Sequence, residues 1–218
     1  MPPRMTSGGD VRNADAPSND LRREHPALYR AGDAPTRLTV PPLRLLMVDG
    51  AGDPNTTPGY GDAVGTLYAV SYGVRGMVKQ SGGLPWTVMP LEGLWWAEDM
   101  AIFSTDDRSG WLWTMMIAQP DVVTAEMVAS ALTAAKAKGR APSADLLRLE
   151  VYDEGDAVQV MHHGPYADEG PTIAALHRAV TDLGLALRGK HHEIYLNDPR
   201  RVAPAAMRTI LRQPVAER

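Results

Sequence analysis

The first half of the chain shows a strand, a helix and two further strands in its pattern of hydrophobic and polar positions. An unbroken apolar run at residues 45–48 predicts a buried strand, and Gly, Asp, Pro and Asn follow it as turn residues. Apolar residues then recur at helical spacing over residues 60–79. Strand patterns follow within residues 86–96 and 111–118. This half therefore predicts a strand–helix–strand–strand unit.

The second half repeats that order after a connecting segment. Residues 124–139 have the amphipathic pattern of a helix. Residues 147–152 have the pattern of a strand, which we expect to turn through a hairpin at residues 153–156. The second unit then comprises a strand, a helix and two strands, at residues 157–163, 169–183, 191–196 and 209–213.

Two such units in one chain predict an α+β fold. Their strands can form one antiparallel sheet, with the helices on one face and a ligand groove on the other. We expect residues 21–218 to form this domain, because residues 1–20 are mostly small and polar and predict an N-terminal tail. Asp20 has the position of a cap for a short helix at the start of the domain.

The tryptophans are concentrated in one part of the sequence. The chain has five Trp and one Phe, and all five Trp lie within residues 86–113. Trp combines a large flat ring with an N–H donor, so this concentration is typical of a wall that binds a ligand. The alternative is that the rings form one corner of the hydrophobic core.

Strand alternation places a carboxylate among aromatic side chains. Within the strand at residues 191–196, His191, Glu193 and Tyr195 point to the face opposite Ile194. A lone carboxylate in a strand is unusual, and beside aromatic rings it suits a general base or a counter-charge for a cationic ligand. The alternative is an exposed Glu on an open sheet face.

Composition excludes several classes of site. Cys is absent, which excludes disulfides, thiolate catalysis and Cys-ligated metals. The 22 Lys and Arg against 26 Asp and Glu give a net charge of −4, so there is no basic field for nucleic acid or a membrane surface. Within each of the two His-His pairs, the adjacent side chains point to opposite faces of a strand, so neither pair chelates a metal by itself. We expect no metal, no cofactor, no direct nucleic-acid binding, no membrane association and a cytoplasmic location; the sequence indicates no particular oligomeric state.

The C-terminal sequence resembles that of a known family. The string from His191 to Arg201, HHEIYLNDPRR, is similar to the signature of the GyrI-like small-molecule-binding family. Shorter strings agree with the family in the same order along the chain, and together they extend over residues 20–215. These strings lie at residues 52–55, 67–72, 89–96, 159–162 and 164–166.

This resemblance implies the doubled strand–helix–strand–strand fold and a central groove for hydrophobic, often cationic or aromatic compounds. The chain is also similar to one subfamily, which hydrolyses the strained cyclopropane of DNA-alkylating natural products of the yatakemycin and CC-1065 type. That subfamily uses an aromatic cage and a Glu at the position of Glu193, our candidate catalytic residue. The implied function is detoxification of such xenobiotics, as in antibiotic resistance. Candidate ligand-binding residues are Trp95, Trp96, Trp113, Tyr195, Tyr72 and Tyr152.

A function from a different class remains open. It is a non-catalytic protein that sequesters drugs, or that protects a topoisomerase by interacting with it. The tryptophans favour a small-molecule function, because binding a protein does not require a Trp-lined concave wall. We do not expect a transcriptional regulator, since residues 1–35 are too short and too polar for a helix-turn-helix module.

Overall fold

A computed structural model describes residues 19–98 and 108–218 of the chain as a mixed α/β fold. The described residues contain four α-helices and nine β-strands. The helices are α1 (Leu21–Glu24), α2 (Pro58–Gln80), α3 (Ala125–Ala137) and α4 (Gly170–Asp182). The strands are β1 (Thr36–Val40), β2 (Leu43–Ala51), β3 (Leu91–Trp96), β4 (Leu112–Gln119), β5 (Arg148–Tyr152), β6 (Gly155–His163), β7 (Leu185–Leu187), β8 (His191–Tyr195) and β9 (Arg208–Glu217).

The predicted repeat and the antiparallel sheet are confirmed. The strand order is β1-β6-β9-β8-β3-β4-β2-β5, and β7 pairs with β9. The first unit is β2–α2–β3–β4, and the second is β6–α4–β8–β9 with the short β7 inserted after its helix. The two units meet at the β3–β8 ladder, where Gly93 is the partner of Glu193. The middle of the sheet therefore contains one strand from each unit.

β1 pairs with β6 and β2 pairs with β5, and the two pairings follow one another as a single bent ladder. Val40 pairs with Gly155 in the β1–β6 part and Leu43 with Tyr152 in the β2–β5 part, so the register is unchanged across the bend. Since β6 and β2 belong to opposite halves of the strand order, this ladder joins the two ends of the sheet into a barrel. The expected hairpin between β5 and β6 is wrong. The two strands do not pair, because β6 continues β5 around the bend, opposite two prolines that have no N–H to donate.

Helices α2 and α4 cover the outer face of the barrel. Helix α2 lies over β2 and β4, with Leu67 and Val74 fully buried. Helix α4 packs Leu176 and Val180 against Leu211 of β9 in a second, smaller core cluster. Helix α3 packs beside α2. Each long helix therefore covers the strands of its own unit, and the junction of the units lies between them.

Glu193 lies on the helix side of the barrel. It pairs with Gly93 of β3 and Leu211 of β9, and partners in an antiparallel ladder share a face. The sequence predicts the opposite arrangement, with Ile194 beneath the helices and the groove on the other face. Ile194 instead faces the barrel interior. Alternation separates the two faces of a strand, but it does not say which face the helices cover.

The described part of the N-terminal segment is bonded to the interior face. Asp20 caps α1 as expected, since its carboxylate accepts a hydrogen bond from a backbone N–H of that helix. A 3₁₀ turn, Pro26–Tyr29, follows, and the Tyr29 hydroxyl lies 3.4 Å from Glu92 Oε1. Residues 1–18 of the predicted tail lie outside the described residues. None of the described helices has the length and hydropathy needed to cross a membrane.

Candidate functional site

A chain of hydrogen bonds links Trp95 to Glu193 across the junction of the two units. The Trp95 Nε1–H donates to the Tyr195 hydroxyl at 2.9 Å, and that hydroxyl donates to Glu193 Oε2 at 2.8 Å. Gly93 lies beneath this chain. A Cβ at Gly93 would come within 2.8 Å of Trp95 Nε1 and 3.1 Å of the Tyr195 oxygen. Glycine is therefore the residue that leaves room for the two bonds.

Trp95 and three other aromatic residues pack together beside this chain of hydrogen bonds. Tyr60, near the start of α2, stacks on Trp95 with ring centroids 6.2 Å apart. Tyr60 also meets Trp113 edge-on at 5.4 Å, and Trp111 meets Trp95 edge-on at 5.7 Å. Such pairs contribute about 0.5–1.5 kcal/mol each beyond the burial of their surface. We call Tyr60, Trp95, Trp111 and Trp113 the aromatic cluster.

Trp113 forms the floor of the aromatic cluster. Its ring lies over Gly50, where an added Cβ would come within 2.0 Å of the ring. The Trp113 Nε1–H donates to the Gly52 carbonyl oxygen at 3.3 Å. Because only 2% of Trp113 is exposed, its contribution is to support the rings above it.

The Glu193 carboxylate is held on one oxygen and remains partly open to solvent. Tyr195 occupies Oε2, while Oε1 lies 3.5 Å from His191 Nε2, and 13% of the Glu193 side chain is exposed. The proton of Tyr195 is directed at Glu193, so Tyr195 orients the carboxylate. A carboxylate fixed in this way can accept a proton from a water molecule or a ligand that reaches it.

Two further side chains from the second unit face Glu193. Tyr166, in the 3₁₀ turn Tyr166–Asp168, meets the Tyr195 ring edge-on at 5.4 Å. Burial, with the negative charge of Glu193 adding to it, raises the pKa of Tyr166 to about 12. Glu169 is 5% exposed, and its carboxyl group lies within hydrogen-bonding reach of Glu193. The site therefore contains two carboxyl groups.

The structure brings Trp95, Trp113 and Tyr195 together with Glu193. All four residues lie on the helix side of the barrel and belong to β3, β4 and β8. Clustering of Trp along the sequence and strand alternation both point to this set. Their role in binding a ligand stays a prediction.

Trp96 and Tyr152 are not brought to Glu193. Trp96 follows Trp95 in β3 and so faces the other way, and Lys190 Nζ lies 3.2 Å from the centroid of its ring. Tyr152 pairs with Leu43 of β2 and also faces the barrel interior. Burial and the charge of Glu154 raise the pKa of Tyr152 to about 12.

Tyr72 lies at a different surface of the molecule. It is 59% exposed on α2, and its ring stacks on Tyr68 at 6.2 Å. Both tyrosines line a groove of about 940 Å³ between α2 and α3. Glu193 and the aromatic cluster do not line this groove, so its size is no guide to the position of the candidate site.

Sequence reasoning did not select four residues of the site. Tyr166 lies within the string at residues 164–166 that carries the resemblance, and Trp111 belongs to the Trp-rich stretch, so both had a signal. Tyr60 and Glu169 stand near the starts of α2 and α4. In sequence they are indistinguishable from ordinary first-turn residues, because their contacts come from strands distant along the chain.

Within residues 19–98 and 108–218, no group of three or more His, Asp or Glu side chains could hold a metal ion. His192 illustrates why. Its Nδ1 is 2.8 Å from Glu154 Oε1 and its Nε2 is 3.0 Å from Glu92 Oε2, so both ring nitrogens are occupied by hydrogen bonds.

Solved structures from Listeria innocua are similar to this chain over nearly their whole length. An uncharacterized conserved protein is 40% identical, with a TM-score of 0.83 over 90% of this chain and 99% of that one. A hydrolase is 37% identical, with a TM-score of 0.79 and the same coverage. The C-terminal domain of EcmrR is 14% identical, with a TM-score of 0.53 over 84% of this chain and 98% of that one, and it shares the fold alone. None of the curated proteins matches this chain.

The family model for the GyrI-like small molecule binding domain matches residues 34–215. This match covers β1 to β8, most of β9 and all of the described residues around Glu193. The chain therefore belongs to the family of the GyrI-like small molecule binding domain.

Proposed function

We propose that this protein binds flat, hydrophobic aromatic compounds at the aromatic cluster and hydrolyses them with Glu193 as the general base. The observation that carries the proposal is the hydrogen-bond chain from Trp95 through Tyr195 to Glu193. A ligand held against the cluster would have its reactive atom beside a carboxylate of fixed orientation. The 37% identical relative from Listeria innocua is described as a hydrolase, which supports this class of reaction.

The substrate class that we propose is the strained cyclopropane of DNA-alkylating natural products of the yatakemycin and CC-1065 type. The oxygen of a water molecule forms a bond to the cyclopropane CH₂ carbon, and the bond from that carbon to the ring junction breaks. The electron pair moves through the dienone to its carbonyl oxygen, which becomes a phenolate. Glu193 takes one proton from the water, and the phenolate later gains a proton from solvent.

The aromatic cluster serves this reaction by holding the polycycle and excluding competing nucleophiles. Stacking against tryptophan and tyrosine rings suits a flat apolar molecule, and each good ring pair adds about 0.5–1.5 kcal/mol. Water that is fixed by Glu193 then attacks in place of a DNA base. The biological result would be detoxification, because the opened product no longer alkylates DNA.

The test is Glu193→Gln, assayed with a cyclopropane-bearing alkylator by chromatography of the ring-opened product. The amide keeps the shape of the side chain but not its basicity. We expect turnover to fall by about 10²–10⁴-fold. Ligand binding, measured by quenching of tryptophan fluorescence, should survive. Glu217→Gln is the matched control, since Glu217 is 78% exposed and lies outside the site.

Each other outcome has a defined meaning. A Glu193→Gln protein that turns over at the wild-type rate would remove Glu193 from the chemistry. A wild-type protein that binds the alkylator without opening it would support the non-catalytic alternative, a protein that sequesters the drug. A wild-type protein that does neither would contradict both.

A further inference from the structure

Glu169 is a buried carboxyl group without an evident structural task. It occupies the N-cap position of α4, where an acidic side chain ordinarily accepts a hydrogen bond from the first turn of the helix. The Glu169 side chain makes no such bond. It is 5% exposed, and its Oε1 has no hydrogen-bond partner. A side chain placed only to cap the helix would not be turned into the protein in this way.

The groups around Glu169 belong to the candidate site. Its carboxyl group lies within hydrogen-bonding reach of Glu193 and next to the Thr209 hydroxyl, whose oxygen makes no hydrogen bond. Thr209 is the partner of Tyr195 in the β8–β9 ladder, so Glu169 reaches the strand pair that presents the base. The other titratable or charged groups that face the two carboxyl groups are Tyr60, Arg108, Tyr166, His191 and Tyr195.

Two carboxylates in one buried site repel each other, so the site favours a state with a single charge. Burial is the largest cause that raises the pKa of Glu169, and the charge of Glu193 is the second; together they raise it to about 9. Arg108 and Thr209 act in the opposite direction but do not cancel these effects. Glu169 therefore carries a proton at neutral pH.

We infer that Glu169 is a positioning residue for Glu193: as a carboxylic acid it donates a hydrogen bond to the Glu193 carboxylate and keeps the site at one negative charge. Together with the bond from Tyr195, this second donor fixes the orientation of the base. The role rests on the proposed function of Glu193, but the shared proton does not. At a pH above about 9, Glu169 loses its proton, becomes an acceptor and repels Glu193.

The first arm of the test is the pH dependence of turnover in wild type, Glu169→Gln and Glu169→Leu. Wild-type kcat should fall on the alkaline side with a midpoint near pH 9. Glu169→Gln retains an N–H donor but has no proton to lose, so its kcat should fall by less than about tenfold and the alkaline decline should disappear. Glu169→Leu removes the donor, and its kcat should fall by about 10–100-fold at every pH.

Asp168→Asn is the matched control for this arm. It removes an exposed carboxylate from the adjacent position near the start of α4, outside the pair formed by Glu169 and Glu193. Its profile should keep the alkaline decline of wild type. An alkaline decline that persists in Glu169→Gln would overturn the inference, as would equal losses of kcat in the Gln and Leu variants.

The second arm needs neither ligand nor turnover. In protein labelled with ¹³C at the side-chain carboxyl of Glu, one resonance should titrate with a midpoint near pH 9 and be absent from Glu169→Gln. In Glu193→Gln that midpoint should move down but stay above 4.5, because burial remains when the neighbouring charge is removed. Glu carboxyls that all titrate below pH 6 would overturn the shared proton, even if Glu193 proves to be the base. A resonance near pH 9 in a protein without turnover would retain the shared proton and reject the proposed function.

Discussion

His192 and Glu193 are neighbours in β8, yet they lie in environments of opposite kinds. His192 faces the barrel interior, where Glu154 and Glu92 accept hydrogen bonds from its two ring nitrogens. Glu193 faces outward, next to aromatic rings and a second carboxyl group. The interior group is charged and fully bonded. Of the outer pair, Glu193 is partly exposed, and Glu169 is buried with its Oε1 unbonded.

In the interior network each charged side chain is bonded to a group of opposite charge. Arg212 bonds to Glu154 at 3.1 Å, to Gln159 at 3.0 Å and to the Leu28 carbonyl oxygen at 2.6 Å. Burial opposes the charge of His192, but the attraction of Glu154 outweighs it and raises the pKa of His192 to about 9. Burial likewise opposes the charge of Glu154, yet His192 and Arg212 hold its pKa at about 2.

The difference shows how the two faces use burial. Buried charges with all their bonds made contribute to one defined structure. Removing one partner leaves the other charge buried and uncompensated, which lowers the free energy of unfolding. A buried carboxyl with an unmade bond is not optimised for stability, which is the arrangement expected where a ligand or water is to be bound. Adjacent residues of one strand thus serve the fold and the candidate site separately.

The largest effect should come from breaking the interior network. Glu154→Gln leaves His192 and Arg212 without their shared counter-charge in a site where Glu154 is 1% exposed. We expect the free energy of unfolding in urea to fall by about 3–5 kcal/mol. Glu217→Gln, at an exposed ion pair with Arg37, should leave the urea midpoint unchanged. A loss below about 1 kcal/mol for Glu154→Gln would show that the network is not needed for stability.

The pH dependence of stability should separate the two faces. The stabilisation from His192 is complete below its unfolded pKa of 6.5 and is lost as pH rises towards about 9. The contribution of Glu154 is complete above 4.5 and is lost as pH falls towards about 2. Glu169 adds a loss between 4.5 and about 9, because its pKa is raised.

The free energy of unfolding in urea, measured between pH 2 and pH 9.5, reports these changes of stability. In Glu169→Gln, the decline between 4.5 and 6.5 should disappear, while the decline from 6.5 towards 9 remains through His192. A decline between pH 4.5 and 6.5 that persists in this variant would mean that the Glu169 carboxyl does not hold a proton in the folded protein.

A smaller effect is expected from Trp95→Phe. The ring remains apolar, but the Nε1–H bond to Tyr195 is lost, so Tyr195 and Glu193 are less well oriented. We expect a flat aromatic ligand to bind about tenfold more weakly, which corresponds to about 1.4 kcal/mol. Fluorescence anisotropy of a fluorescent polycycle measures this change, and Glu217→Gln again supplies the baseline. Unaltered affinity would separate the aromatic cluster from ligand binding.

The smallest effect should come from Trp96→Phe. Trp96 is adjacent to Trp95 in sequence but faces away from Glu193, beneath the Lys190 ammonium. Ligand affinity should therefore stay within about 0.5 kcal/mol of wild type, as for a substitution outside the site. The same anisotropy titration measures it. A loss as large as that of Trp95→Phe would place the ligand on the other face of β3.

The repeated units could be predicted from sequence because hydrophobic periodicity is a local signal. The predicted helix over residues 169–183, for example, agrees with α4 within a residue or two at each end. The face of β4 that the helices cover could not be predicted, since Trp113 and Met115 on one side are as deeply buried as Thr114 and Met116 on the other. Since neither face of β4 is mainly polar, strand alternation does not indicate which face the helices cover.

The candidate site was predicted as far as its strands. Glu193 and Tyr195 follow from strand alternation and from the resemblance, whereas the sequence does not decide which of Trp95 and Trp96 faces the site. Glu169 does not follow from either, because its inward orientation depends on how α4 docks above β6 and β9. The closure of the barrel was missed for the same reason, since it depends on pairing between residues more than 100 positions apart.

The bond between Trp95 and Tyr195 has a consequence for the order in which the protein folds. These residues are 100 positions apart, and each unit supplies one of them. A nascent or truncated chain that contains only the first unit lacks both Glu193 and the Tyr195 hydroxyl that orients it. Proteins in which contacts over such separations dominate fold more slowly than proteins with mainly local contacts. The candidate site is therefore complete only after the two units have docked, and the tryptophan fluorescence of the junction should report that step.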